Sequence, residues 1–348
     1  MNSTLPLSLD RQDLDHVLQG VGTAWEALRG QRLLLTGGTG FVGKWLLASL
    51  LHANRELGLN AQVVLLSRDP SRLRNAHPEL TAEAALHWIG ADVRSFELPP
   101  ELACSHAIHA AADVVASTTP EQTFDTCVRG TQRVIERMRR HGGQTMLLLS
   151  SGAVYGQPGA QAIDEDWRGA PDPLQPASAY GEGKRAMELL GAMAAAEGMT
   201  VPVARCFAFV GPHLPLDKHF AIGNFIGAAM AGRTIQIQGD GTPLRSYMHA
   251  ADLSLWLWTL LLKGRSGRAY NVGGDEALSI EALARRVVKV LGSDSEVQIA
   301  KAPLAGAVPL AYVPNIRRAA DELGLQPRIN LDEAIARTAL WHRNRTHP

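Results

Sequence analysis

A tyrosine and a lysine four residues apart, Tyr180 and Lys184 in Tyr180-Gly181-Glu182-Gly183-Lys184, open a stretch patterned as a helix. Side chains at i and i+4 share one helical face, so the phenol and the ammonium point the same way. An ammonium beside a phenol favours the phenolate and draws its pKa down from about 10 toward the working pH, which makes Tyr180 a candidate general acid/base. A surface pair with this spacing also arises by chance. Two neighbours weigh against chance: the loop carrying Pro171, Pro173 and Pro176, and the upstream strand pattern that ends in serines. Ser151 falls just past that strand, where a hydroxyl can bond a substrate oxygen and help pass a proton; Ser150 reads as structural.

Further upstream, Thr36-Gly37-Gly38-Thr39-Gly40-Phe41-Val42-Gly43 follows an apolar strand pattern and opens a helical one. Gly37 permits a tight turn, Gly40 lets backbone approach a pyrophosphate, and Gly43 lets the helix pack closely on the strand. The helix N-terminus offers N–H groups and partial positive charge to phosphates. The strand–turn–helix context raises this spacing above a flexible turn, and it predicts a dinucleotide site. The next strand ends in Leu66-Ser67-Arg68-Asp69-Pro70. A small residue and a guanidinium at a strand tip suit a ribose 2′-phosphate, which favours NADP; NAD stays open if Asp69 takes the ribose hydroxyls and Arg68 is merely solvated. Asp92-Val93 closes a third strand, where a carboxylate can accept from an adenine amino group. His109-Ala110-Ala111 closes a fourth, where small residues leave room for the cofactor backbone.

Together the glycine turn, the serine strand and the Tyr180/Lys184 pair resemble the extended short-chain dehydrogenase/reductase family of NAD(P)-dependent sugar-nucleotide epimerases, dehydratases and reductases. The likeness runs from about residue 31 to 342 and takes in Arg205-Cys206-Phe207 with Gly211-Pro212, Gly239-Asp240-Gly241, Arg245-Ser246-Tyr247-Met248-His249 with Asp252, Tyr270-Asn271-Val272-Gly273, and Leu323-Gly324-Leu325 with Pro327. The resemblance implies a sugar nucleotide bound between two lobes with C4 facing a nicotinamide. The tyrosine, helped by lysine and serine, then moves the hydroxyl or carbonyl proton while hydride goes to or from the cofactor. It carries these roles to Ser151, Tyr180 and Lys184. It lays the cofactor along Gly37, Gly40, Phe41, Val42, Gly43, Ser67, Arg68, Asp92, Val93, Ala110, Ala111 and Phe207. It makes Arg245 a clamp on the substrate diphosphate and Asn224 a second contact, although Arg245 could instead pair with Asp252 between lobes and Asn224 could cap a helix. Helices at 122–141 and 179–197 resemble the family's four-helix dimer bundle and imply a homodimer.

Several positions depart from the family's pattern. Where 4,6-dehydratases carry an Asp-Glu pair after the active-site Ser/Thr, this chain has Gly152 and Ala153, and decarboxylases place a Glu at the position of Ala153. Dehydration and decarboxylation are therefore disfavoured. Cys127 stands where many members have Asn, Ala208 replaces an Asn, and no second diphosphate arginine is visible near 305–313. The sequence thus reads first as a 4-keto-sugar-nucleotide reductase. A 4-epimerase with tightly held NAD uses the same residues, and a non-catalytic dinucleotide sensor or scaffold is the alternative of another class.

Positioning these groups requires strands at 32–35, 62–66, 85–89, 107–110, 146–149, 201–206 and 269–272, alternating with helices reaching about residue 57 and at 122–141, 179–197 and 280–291. That alternation predicts an α/β, Rossmann-like doubly wound parallel sheet, residues 31–209. A smaller mixed α/β substrate lobe follows over 210–348, with some segments returning to the first domain. Residues 1–30 read as a docked helical extension, with Ser8 as a helix cap and a second short helix at 23–28. The apolar stretch 253–262 is far short of the roughly 20 residues that span a bilayer and predicts a buried helix. Lys+Arg and Asp+Glu are both 34 in a chain of 348, which speaks against nucleic-acid partners. Cys104, Cys127 and Cys206 are too few and scattered for a disulfide scaffold, the twelve histidines form no HxxxH or HxH pair, and no signal segment opens the chain. A cytoplasmic protein with a nucleotide-sugar substrate, no metal and no membrane partner is expected.

Overall fold

The computed structural model describes residues 6–111, 118–157, 159, 161–218, 220–304, 306 and 308–346. The first five residues of the N-terminal extension, and positions 305 and 307 in the stretch searched for a second arginine, lie outside the described residues. The chain divides into two compact units. The first comprises residues 1–156, 170–206 and 254–270; the second comprises 157–169, 207–253 and 271–348. The chain thus crosses between units more often than the sequence boundaries anticipate. Residues 157–169, between Ser151 and Tyr180, belong to the second unit, and 254–270 belong to the first.

In the first unit, strands β1 (Arg32–Thr36), β2 (Gln62–Ser67), β3 (Leu86–Gly90), β4 (His106–His109), β5 (Thr145–Ser151) and β6 (Val203–Cys206) lie in the order β3-β2-β1-β4-β5-β6. All five of these pairings are parallel. The strand Ala269–Val272 lies beside β6, completing a seven-stranded sheet. The interior of each central strand is an unbroken run of buried apolar residues, such as Leu33–Leu35 and Val63–Leu66, because helices cover both faces. The chain order reverses direction between β1 and β4, where a doubly wound sheet opens a crevice at its carboxyl edge. Helices α1 (Arg11–Val21), α2 (Phe41–Leu57), α3 (Pro70–Ala76), α4 (Pro120–Arg140) and α5 (Ala179–Ala196) belong to this unit. α4 begins with a full capping box, Thr119 with Gln122, and α4 and α5 pack along one another.

The N-terminal extension is docked as expected, but its cap is Asp10, which accepts from the Gln12 N–H. Ser8, the residue anticipated there, lies in a 3-10 turn at φ 53°. The expected helix at 23–28 is a 3-10 helix, Gly22–Leu28. It buries Trp25 completely, 5.0 Å from the Trp258 ring. Trp258 lies on α7 (Ala250–Lys263), the buried helix predicted from the apolar stretch, and its indole N–H donates to Ser49 Oγ on α2 at 2.8 Å.

The second unit holds α6 (Ala221–Met230), α8 (Ile280–Leu291), α9 (Arg317–Leu323) and α10 (Leu331–Thr346), with α6, α8 and α10 packed together. Its strands are two or three residues long. Leu244–Arg245 pairs antiparallel with Leu278–Ser279 and parallel with Ala311–Tyr312. The excursion 157–169 is fixed within this unit by its bridge from Ile163 to Pro314 and by Glu165, whose carboxylate accepts the Asn271 N–H at 2.9 Å. Among the described residues no helix is long and apolar enough to cross a membrane.

Candidate active site

The glycine turn joins β1 to α2 at the centre of the sheet. Gly37 adopts φ +70°, and a Cβ there would lie 2.8 Å from the Ala110 carbonyl, so only glycine lets the turn touch the end of β4. Gly43 was expected to bring helix and strand together. The atoms that exclude a side chain are instead those of the turn itself, since a Cβ on Gly43 would collide with Gly37 O and Gly38 Cα. Gly40 is the N-cap of α2 and no side chain caps the helix, which leaves the first-turn amides of Phe41, Val42 and Gly43 without an intrahelical acceptor. An uncapped helix start over a cradle that a Cβ would fill fits a pyrophosphate.

A buried hydrogen-bond chain fastens this turn to β4 and α4. The Ala111 N–H donates to Thr36 Oγ1 (3.1 Å), Thr36 Oγ1 meets His109 Nδ1 (2.8 Å), and His109 Nε2 meets Thr131 Oγ1 (3.2 Å). Thr131 spends its proton on the Cys127 carbonyl (2.6 Å), so His109 Nε2 must be the donor to Thr131 and Nδ1 the acceptor from Thr36. Burial, reinforced by the Lys184 charge, holds His109 down to about 3, in keeping with this neutral ring.

At the tip of β2, Ser67 Oγ lies 3.4 Å from Thr39 Oγ1 and accepts the Asp69 N–H. Arg68 is exposed. The Asp69 carboxylate caps α3, accepting from the Ser71 hydroxyl and the Arg72 N–H, and these bonds hold it below the usual carboxylate range. Asp92 was expected to await an adenine amino group. It is bound by both Arg94 Nε (2.8 Å) and Nη2 (2.9 Å), and Arg94 also reaches Asp125. Val93 is buried in the sheet's core cluster against α4.

The candidate acid/base residues meet at the end of β5. Ser151 Oγ accepts the Ala153 N–H (3.2 Å), and its side chain acts on the Tyr180 hydroxyl, favouring the ionised phenol. The Tyr180 residue is partly exposed, yet its hydroxyl end is enclosed: burial pushes it up to about 12 while the Ser151 side chain pulls the other way. Lys184 was expected to lower the phenol directly. Its Nζ instead donates to the Leu149 carbonyl at 2.7 Å and lies 5.9 Å from the centre of the Tyr180 ring. Fully enclosed, Lys184 is held below the usual lysine range by desolvation. Cys127 from α4 and Cys206 from β6 face the same pair. Gly183 lets α5 approach, since a Cβ there would be 3.0 Å from Cys127 Cβ.

The remaining predicted residues belong to the second unit. Phe207 stacks on Tyr312 with ring centres 4.7 Å apart. The Arg245 guanidinium lies 5.4 Å over the same Tyr312 ring and donates to its neighbour's carbonyl, Leu244 O. Asp252 accepts the N–H groups of Arg328 and Ile329 (each 2.9 Å). His249 accepts the Ala251 N–H at the start of α7. Asn224 is exposed within α6 and is not its cap, which is Phe220. Sequence reasoning gave no role to Glu188, Arg205 or Tyr155, which form a polar cluster beside Lys184; the available signals were Glu188 four residues beyond Lys184 and Arg205 at the head of Arg205-Cys206-Phe207.

A family model for the NAD dependent epimerase/dehydratase family matches residues 33–273. The chain belongs to that family. UDP-glucuronic acid decarboxylase 1 of Danio rerio is 30% identical over 319 residues, covering 88% of this chain and 72% of that protein. dTDP-glucose 4,6-dehydratase of Streptomyces antibioticus is 29% identical over 318 residues, covering 90% and 92%. The solved structure of MoeE5 in complex with UDP-glucuronic acid and NAD superposes with a TM-score of 0.72 at 28% identity, covering 90% of this chain and 99% of MoeE5. These relatives overturn one expectation. Gly152 and Ala153 pointed away from dehydration and decarboxylation, yet the similar family members are themselves decarboxylases and dehydratases, so both reactions are plausible for this chain.

Proposed function

We propose that this chain is an NAD(P)-dependent enzyme that moves hydride at C4 of a nucleotide-activated sugar. The observation that carries this reading is the enclosed Lys184 ammonium, bonded to the Leu149 carbonyl and 5.9 Å from the centre of the Tyr180 ring, at the end of the strand that carries Ser151 and in the same unit as the glycine turn. The turn and the α2 amides would hold the cofactor's pyrophosphate, and Ser151 and Tyr180 would face its nicotinamide. When bound, that ring supplies a hydride acceptor or donor. Ser151 orients the sugar oxygen, and Tyr180 takes or returns its proton. The unliganded phenol, at about 12, holds its proton near neutrality and in that form can donate it to a carbonyl oxygen; to accept a hydroxyl proton it must first be ionised, which bound positive charge would favour.

In this reading a 4-keto sugar is the common point from which several products diverge. A uronic acid oxidised at C4 is a β-keto acid, and its carbon dioxide departs with the ketone as electron sink, without an acid at position 153. Dehydration, epimerisation and net reduction of a supplied 4-keto sugar complete the set, and the last two are the fates read from the sequence. Arg245, stacked on Tyr312, would bind the diphosphate, with Asn224 as a further contact. NADP remains favoured at the β2 tip because Asp69 is committed to capping α3 while Arg68 is exposed. A homodimer through α4 and α5 is supported by Phe124, Leu189 and Met193, large apolar residues 41%, 63% and 54% exposed there.

The test is incubation with NAD+ and, in turn, UDP-glucuronic acid, dTDP-glucose and UDP-glucose, and with NADPH or NADH and a 4-keto-sugar nucleotide. Products are resolved by mass and NMR. Loss of carbon dioxide, loss of water, a hydroxyl epimer or consumption of reduced cofactor each identifies one fate. Cofactor binding with no change in any nucleotide sugar would refute the reading.

A further inference from the structure

Glu188 and Arg205 form a partly buried ion pair that the proton-transfer chemistry does not use. Arg205 Nη2 meets Glu188 Oε2 at 2.7 Å and Nε meets Oε1 at 3.0 Å, a two-point contact with both side chains 15% exposed. Arg205 Nη1 donates to the Tyr155 hydroxyl at 2.9 Å, and its guanidinium lies 4.8 Å over the Tyr155 ring. The Ser150 hydroxyl donates to Glu188 Oε1 at 2.5 Å. The cluster therefore joins four places: α5, which carries Tyr180 and Lys184; β5, through the residue preceding Ser151; β6, where Arg205 pairs in register with Ser150; and the 3-10 turn Gly152–Tyr155 that follows Ser151.

A buried ion pair is a poor way to gain stability, because desolvating two charges costs about as much as their attraction returns, and apolar residues of similar size often serve as well. Its placement says more. Glu188 is one helical turn beyond Lys184 and two beyond Tyr180, so all three share one face of α5. We propose that Glu188 and Arg205 are positioning residues for the Tyr180–Lys184 pair, tying the catalytic helix to the serine strand and setting the electrostatic field at the enclosed ammonium.

The groups facing that ammonium are Tyr180 and Glu188 from α5, Cys127 from α4, Cys206 from β6 and His109 from β4. His109 is neutral, and burial pushes the Cys206 thiol up to about 12. Among the described residues Glu188 is the carboxylate in this set, and Arg205 is its ion-pair partner. Removing Glu188 leaves an unmatched cation near Lys184 and makes its proton easier to lose. Removing Arg205 leaves an unmatched anion and makes it harder to lose.

This inference rests on the reading of Tyr180 and Lys184 as the acid/base pair, but its test is separable. The 15Nζ resonance of Lys184 in the cofactor-free protein, assigned by its disappearance in Lys184→Met, is titrated with pH. Glu188→Gln is expected to move the midpoint down and Arg205→Met to move it up. Both variants break the same bridge, so a merely structural role predicts equal damage and no opposed shifts. Midpoints that stay put, or move the same way, overturn the proposal. Should either single variant fail to fold, the double variant Glu188→Leu/Arg205→Met decides. It is expected to fold, to keep NAD(P) affinity within about twofold and to lose at least about tenfold in kcat, and full kcat overturns the proposal. Full turnover in Tyr180→Phe would instead sink the functional reading and leave the resonance test standing.

Discussion

Replacing Lys184 by methionine should abolish turnover and at the same time stabilise the protein. Lys184 is 2% exposed, and its ammonium donates to the Leu149 carbonyl at 2.7 Å and reaches the Met187 sulfur at 3.6 Å rather than a carboxylate. An ion taken from water into such a site costs several kcal/mol after relaxation. A charged hydrogen bond to a carbonyl returns about 1.5–3 kcal/mol of that. Methionine matches the length and flexibility of the lysine stem and carries no charge. The balance favours Lys184→Met by about 1–2 kcal/mol, a rise in melting temperature of about 1–4 °C for a chain of this size. The sign with pH follows from proton counting. Lys184 is held below the ordinary lysine value in the folded protein. Between that folded value and about 10.4, the unfolded chain binds more protons than the folded one, so the wild type gains stability as pH rises. The advantage of methionine is therefore full below the folded value and shrinks through this window. Scanning calorimetry of the cofactor-free proteins across neutral to alkaline pH measures it, with activity assayed alongside. A variant less stable than wild type by more than about 1 kcal/mol at neutral pH would show that the ammonium holds the fold together, and the reasoning would fail.

Tyr180→Phe should lower kcat by ~10²–10⁴ while leaving cofactor affinity within about twofold, the range for loss of a positioned acid/base; equal kcat would remove Tyr180 from the chemistry. Gly43→Ala should weaken cofactor binding at least about tenfold by calorimetry and cost about 1–3 kcal/mol in stability, since the new carbon collides with backbone atoms of Gly37 and Gly38 that cannot easily give way. Unchanged affinity would mean that the turn does not hold the cofactor. Tyr312→Leu should weaken binding of UDP or dTDP severalfold by releasing Arg245, and an unaltered affinity would dissociate that arginine from nucleotide binding. Leu189→Glu with Met193→Glu should yield monomers by light scattering; an unchanged mass would relocate the interface or show the wild type to be monomeric.

The sequence alone carried whatever depends on neighbours along the chain. The buried sheet strands stand out as unbroken Val/Leu runs, α8 is bounded correctly at both ends, and the glycine turn and the i, i+4 pair of Tyr180 and Lys184 are local patterns with local consequences. The strands of the second unit escape notice because two or three residues are too few to show a period. The cap of α1 goes to Asp10 rather than Ser8 because both types cap well and only the backbone path chooses. What tertiary structure decided is which groups meet across sequence distance. The Lys184 ammonium finds a carbonyl on β5 35 residues away, Ser150 finds Glu188, and Gly183 finds Cys127. Those meetings reverse the simplest reading of the phenol. Spacing on a helix gives a shared face, but the acidity of a side chain depends on the solvent excluded from around it, and that is known only once strands and helices have closed over it.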